Sequence, residues 1–266
     1  MLNEIWLPDS IRAAVRNKPC AEDNVGMSGS RIFIFDDTVL KIQKHSEETD
    51  NELRVIEWLD GRLPVPEIIE YAVKDGTAYC LMTRIKGRMI CDKVYMREPE
   101  ILVEIAAKAL EMLWAADICG CPCDASLDVK LEAAKYNVEN NLVDMDNAEP
   151  ETFGRGGFAS PEELLLWLYE NRPVEEPVLS HGDFCLPNIF ADKNNVTGFI
   201  DLGRAGTADK WQDIAICYRS LKHNFEGKYS GGRVYGGFYP EMLFERLQIR
   251  PEPDKLRYYI LLDELF

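Results

Sequence analysis

The chain of 266 residues carries 46 acidic against 30 basic side chains, a formal charge of −16, and is 46% hydrophobic. So acidic a surface is a poor partner for nucleic acid or an anionic membrane, whereas it concentrates cationic small molecules. No run of about 18 apolar residues occurs and the N-terminus lacks a basic and apolar signal pattern, so a cytoplasmic protein with a sizeable core is expected, with no obligate protein partner called for.

In chain order, Asp9 and Ser10 read as the cap of a short helix reaching Asn17, with Ile11, Ala14 and Val15 on one face. Residues 31–35 and 39–42 are strand-like and flank Asp36-Asp37, a hairpin pattern. A helix is expected over 51–59, where Leu53, Ile56 and Leu59 recur at helical spacing, before Pro64-Val65-Pro66 stops it. Strands 68–73 and 77–82 flank Lys74-Asp75-Gly76. These elements predict an antiparallel sheet with one packed helix in an N-terminal nucleotide-binding lobe, residues 1–85. From 86 to 266 the period is mainly helical, with helices over 99–116, 127–142, 161–170 (capped by Ser160), 209–221, 240–247 and 253–265, and short strands between the third and fourth. The fold class is α+β.

Eight cysteines are scattered, with Cys119, Cys121 and Cys123 clustered. That cluster invites a metal reading, but no second Cys or His pair stands at ligand spacing, so free thiols in a loop are expected.

Chemistry concentrates in His181-Gly182-Asp183 with Asn188, followed by Phe199-Ile200-Asp201-Leu202-Gly203. In an H-x-D-x-x-x-x-N loop the Asp accepts the proton of an attacking hydroxyl, while the Asn and the Asp of a following D-x-G turn hold Mg²⁺ against ATP. Asp183 is therefore the candidate base, and Asn188 and Asp201 are the candidate metal ligands, with Asp201 at the end of the apolar run 196–200. His181 reads as structural. Lys41, among apolar strand residues, calls for an anionic partner. Together these predict a kinase.

The segments Ser180 to Asp183, 198–206, 208–214 and the ending Tyr258-Tyr259-Ile260-Leu261-Leu262-Asp263-Glu264-Leu265-Phe266 resemble the aminoglycoside 3'-phosphotransferases. The likeness runs from Gly26 to the end and weakens in 86–98 and 223–240. It implies a protein-kinase-like two-lobed fold, with a small β-rich lobe before a larger helical one. It also implies ATP- and Mg²⁺-dependent phosphorylation of an aminoglycoside, at the 3'-hydroxyl, which inactivates the antibiotic.

On the nucleotide side the resemblance pairs Lys41 with Glu52, with Glu57 as a sequence competitor, and sets Ser28 of the 26–30 loop near the phosphates. A plain glycine turn fits that loop equally well. Adenine would lie against Met82, Thr83, Arg84 and Ile85 with Ile200 as floor; Val39 stands where several relatives have an aromatic. On the acceptor side, the acidic loop with Asp144, Asp146, Glu149 and Glu151 would cover the drug. Arg204 would hold ring hydroxyls or site carboxylates, and Asp263, Glu264 and the carboxylate of Phe266 would take ammonium groups. Asn224 stands where relatives carry an acid, so that contact passes to Glu226. A kinase of another small cationic alcohol, such as choline or an amino sugar, and a nucleotide-binding module without catalysis are the alternatives.

Overall fold

The computed structural model describes residues 5–23 and 29–266. Helix α1 (Asp9–Val15) and strands β1 (Ala21–Asp23), β2 (Arg31–Ile34) and β3 (Thr38–Lys44) are followed by α2 (Glu47–Leu59), β4 (Ile68–Lys74) and β5 (Thr77–Thr83). The strands form one antiparallel sheet in the order β1-β2-β3-β5-β4. Period-2 alternation divides its central strands between two tasks. Phe33, Phe35, Leu40 and Ile42 join Leu7, Ile11 and Val15 in a small core under α1. Ile32, Ile34, Val39 and Lys41 point the other way and line a cleft.

Two local expectations are corrected. Pro8, not Asp9 or Ser10, precedes the first turn of α1, and no side chain caps it. Helix α2 starts a turn earlier than its apolar spacing indicates. Thr49 Oγ1 accepts from the Ser46 amide (3.1 Å) and donates to the Ser46 carbonyl (2.7 Å), closing the helix entrance, and Glu47, Glu48 and Asp50 favour the positive end of the helix dipole. Helix α1 packs in the small core of the sheet, whereas α2 sends its Val55, Ile56 and Leu59 into the second, larger core.

That core is built on α4 (Pro99–Trp114), which follows β6 (Arg88–Met89) and α3 (Lys93–Met96). Eight of its sixteen residues are buried, around most of its circumference, as a central helix requires. Helices α5 (Leu127–Glu139) and α6 (Pro161–Glu170) pack together, and Ser160 Oγ accepts from Glu163 N at 3.4 Å, the cap that the sequence indicates. Then come β7 (Pro177–Ser180), β8 (Ile189–Asp192), β9 (Asn195–Phe199), β10 (Gly206–Asp209), α7 (Lys210–Phe225), α8 (Met242–Leu247) and α9 (Pro253–Asp263). β7 pairs with β10, and β8 lies between β6 and β9, all antiparallel. The motif residues occupy the turns these ribbons leave: 181–188 between β7 and β8, and Asp201 just past β9. No helix among the described residues is long and apolar enough to cross a membrane.

Candidate active site

The cleft beneath the N-terminal sheet encloses a cavity of about 420 Å³. Its walls include Val39, Lys41, Glu52, Met82, Thr83, Arg84, Ile85, Ile200 and Asp201, so the residues expected around a nucleotide converge although they come from four separate stretches. Ile34, Met89 and Phe190 add apolar surface; Phe190 brings an aromatic ring to the cavity that has only a valine at position 39. Ser28 and Gly26 lie outside the described residues.

Lys41 is the hub of this wall. Its Nζ donates to Glu52 Oε2 (3.0 Å) and Oε1 (3.2 Å) and to Asp201 Oδ1 (2.6 Å), with 12% of the side chain exposed. Glu57 is exposed and takes no part, so burial on one face of α2 separates the two candidates. Burial pulls the Lys41 ammonium down, but Glu52 and Asp201 outweigh it and hold the group above its ordinary value. The Glu52 carboxyl is pushed up by burial against the opposing pull of Lys41.

Asp183 is half-buried, and both carboxylate oxygens and its backbone carbonyl are engaged. Asn188 Nδ2 donates to its Oδ2 and to its backbone carbonyl, both at 3.0 Å, and the Cys185 thiol donates to Oδ1 at 3.0 Å. Gly182, at φ 82°, is needed because a β-carbon there would run into the carbonyl oxygen of Arg204. Asp201 takes a left-handed conformation (φ 58°, ψ 53°), uncommon outside glycine and tolerated best by Asp and Asn, at the bend that turns its carboxylate toward Lys41.

The loop hangs on a residue to which the sequence motifs assign no role. Asp213, fully buried on α7, accepts from Ser180 Oγ (3.0 Å), the His181 amide (2.7 Å) and the Gly182 amide (3.0 Å). Burial pushes its carboxyl up while these donors oppose the rise. His181 is wholly buried, with its ring against Phe184, and its Nε2 has no partner among the described residues; it packs under the loop and does not face the cleft.

Most of the residues that the resemblance assigns to the acceptor are already engaged with one another or with neighbouring charges. Arg204 Nε donates to Glu48 Oε1 (2.9 Å), and its guanidinium lies 5.5 Å from the centre of the Phe266 ring. Arg219 of α7, which no motif marks, forks between Asp263 and Glu264, with Nη1 to Glu264 Oε1 at 3.2 Å. Glu264 Oε2 accepts from the Glu149 amide at 2.9 Å, tying the acidic loop to the chain end. Glu149 in turn accepts from Lys228 Nζ (2.7 Å) and sits 3.2 Å from His223 Nε2.

Glu151 and Glu226 are exposed, and Asn224 turns back onto the Ser220 carbonyl of its own helix at 2.8 Å. Asp144 and Asp146 are exposed, and Asp144 binds the backbone and side chain of Asn147. Lys130 of α5 lies 5.7 Å from the Phe266 ring centre, and burial together with the nearby Arg204 charge pulls it down to about 8. Asp213 falls within the segment 208–214 that carries the family resemblance, whereas no sequence signal singles out Arg219, Lys130 or Lys228, each an ordinary helix or loop residue until the tertiary fold supplies its partner.

The arrangement joins an apolar cavity, a charged lysine bridging two carboxylates, and a carboxylate held by an asparagine and a thiol. A model of the phosphotransferase enzyme family matches residues 21–251. An aminoglycoside 3'-phosphotransferase of Enterococcus faecalis is 35% identical, covering 96% of this chain and 97% of that protein. A Staphylococcus aureus protein of the same name is 34% identical with the same coverage. Among solved structures, an aminoglycoside-3'-phosphotransferase of type VIII superposes with a TM-score of 0.78 at 29% identity, covering 97% of this chain and 98% of that one. An aminoglycoside phosphotransferase from Streptomyces rimosus, in complex with ADP and streptomycin, shares the fold at a TM-score of 0.75 and 23% identity, covering 96% of each. The two-lobed cleft with its Lys41–Glu52–Asp201 and Asp183–Asn188 groups is thus that of a kinase, and the chain belongs to the aminoglycoside 3'-phosphotransferases of the phosphotransferase enzyme family.

Proposed function

We propose that this chain transfers the γ-phosphoryl group of ATP to the 3'-hydroxyl of an aminoglycoside and so inactivates the drug. The observation that carries this reading is that Lys41 joins Glu52 to Asp201, 160 positions beyond the lysine in sequence, in the wall of the cleft, while the Ile200 amide donates to the Asn188 carbonyl at 3.0 Å and so sets the Asp183–Asn188 pair next to Asp201.

Asp183 orients the acceptor hydroxyl and takes its proton as the O–P bond forms. Its carboxylate is aimed by Asn188 and Cys185, so little rearrangement is required when the hydroxyl arrives. Lys41, kept charged by Glu52, steadies the phosphates, with Met82, Thr83, Ile85 and Ile200 against the base and Ser28 completing the phosphate side. Arg204, Glu149, Glu151, Glu226, Asp263, Glu264 and Phe266 receive the polyamine. The donor set fits Mg²⁺, which takes hard oxygens and few protein ligands beside substrate phosphates. Asn188 spends its N–H groups on Asp183 and so has its amide oxygen to offer, while Asp201 gives only Oδ1 to Lys41. Bound there, Mg²⁺ would neutralise charge on the transferring phosphoryl group.

An ADP-release assay over kanamycin, neomycin, gentamicin and choline, with NMR of the product, tests the proposal. Phosphorylation at the 3'-position of kanamycin is expected. Asp183→Asn is expected to lower kcat by about 10² to 10⁴ with KM for ATP nearly unchanged, since a transition-state base contributes on that order. Choline as the best substrate would overturn the substrate reading, and an Asp183→Asn enzyme with more than about a tenth of native kcat would overturn the role of Asp183.

A further inference from the structure

Between the candidate base and its asparagine lies a thiol that the motif itself does not specify. Cys185 stands two residues beyond Asp183, and its amide donates to the Asp183 carbonyl at 2.8 Å, folding the loop back on itself. This short bridge brings Cys185 Sγ within 3.0 Å of Asp183 Oδ1, close for a sulfur donor. Asn188 Nδ2 holds the other oxygen, Oδ2, at the same distance. The carboxylate therefore has one donor on each oxygen, from opposite ends of one turn, and its plane is set by the pair.

The chemistry of the neighbours keeps the thiol a donor. Burial and the Asp183 charge push Cys185 well above the ordinary thiol range, so at working pH it carries its hydrogen and has a carboxylate to give it to. A thiol is a weak donor. It can hold an oxygen in place while drawing little charge from it, and it can share that oxygen with an incoming hydroxyl.

We propose that Cys185 is a positioning residue of the phosphoryl-transfer site, whose S–H orients Asp183 Oδ1 toward the acceptor hydroxyl. This rests on the reading of Asp183 as the base. No covalent step at sulfur is involved.

The test is a three-member series in the full-length enzyme: Cys185→Ala, which removes the donor, and Cys185→Ser, which replaces it with a stronger one, against the native chain. For Cys185→Ala, kcat is expected to drop about tenfold while KM for ATP stays within about twofold, because the reacting oxygen is less well aimed. Cys185→Ser is expected to recover most of that loss.

An alanine variant with kcat within about twofold of native, or a serine variant as impaired as the alanine one, would overturn the proposal and leave Cys185 a packing residue. If Asp183→Asn remains active, the reading of the base fails first. If it is inactive while the Cys185 series is flat, only the positioning role fails.

Discussion

Replacing Asp213 by Asn asks whether the catalytic loop is held by a buried negative charge. Oδ2 accepts from the His181 amide, and Oδ1 accepts from both the Gly182 amide and Ser180 Oγ. An asparagine keeps the shape but offers one acceptor oxygen. With its oxygen toward the His181 amide and its NH₂ toward Ser180, the asparagine leaves the Gly182 amide only Ser180 Oγ, to which it also donates at 3.1 Å, so every buried donor keeps an acceptor but the loop loses its bonds to a charged one. The exchange of a carboxylate for a neutral acceptor, with one bond fewer, costs about 1–3 kcal/mol. That corresponds to a Tm lower by roughly 2–10 °C for a protein of this size.

Function is expected to fall further than stability. His181 and Gly182 are the residues immediately before Asp183, and a shift near 1 Å in a reacting group can cost about 10² in rate. Differential scanning calorimetry with steady-state kinetics checks both, with kcat expected to fall about 10- to 100-fold and KM for ATP to stay near native because β3 and α2 are untouched. A variant with unchanged Tm and kcat within twofold of native would refute the reasoning, since it would mean that Asp213 is protonated and a neutral group suffices, the direction in which burial pushes it.

Two other outcomes follow from the charges around Glu149. Lys228, partly exposed, shares Glu149 Oε1 with the site, so Lys228→Ala is expected to lower KM for a polycationic acceptor about two- to fivefold at low salt, with kcat unchanged; a higher KM would show that Glu149 needs Lys228 in order to bind. His223 is depressed below its ordinary value by burial, with Glu149 opposing. A depressed histidine adds stability above its unfolded pKa of about 6.5 and loses it as pH falls through the folded value. Between pH 7.5 and 5.5 the native Tm should therefore drop more than that of His223→Asn; parallel melting curves would exclude the histidine as the cause.

Elements whose instructions are local are legible in the sequence. Ser160 with Pro161, and Pro99 before an apolar helix, mark helix starts through groups one turn away, and α6 and α4 begin at those prolines. The hairpin of β2 and β3 follows from alternation around Asp36-Asp37. Nothing local announces β1 or β6. β6 is two residues long and exists by pairing with β8, about 100 positions away, and no local propensity encodes that.

Within the site, the catalytic loop and the D-L-G turn can be read directly because their chemistry lies in residue types at fixed short spacing, so Asp183, Asn188 and Asp201 stand out in the linear chain. Which acid meets Lys41 needs more. Glu52 and Glu57 are both helical glutamates five residues apart, and only packing of α2 against the sheet buries the first and exposes the second. The Asp213 hold on the loop, the fork of Arg219 at the chain end and the Lys228–Glu149 pair depend on long-range folding for the same reason. A charge is ordinary surface decoration along a chain, and becomes a constraint when the fold removes its water and leaves one partner within reach.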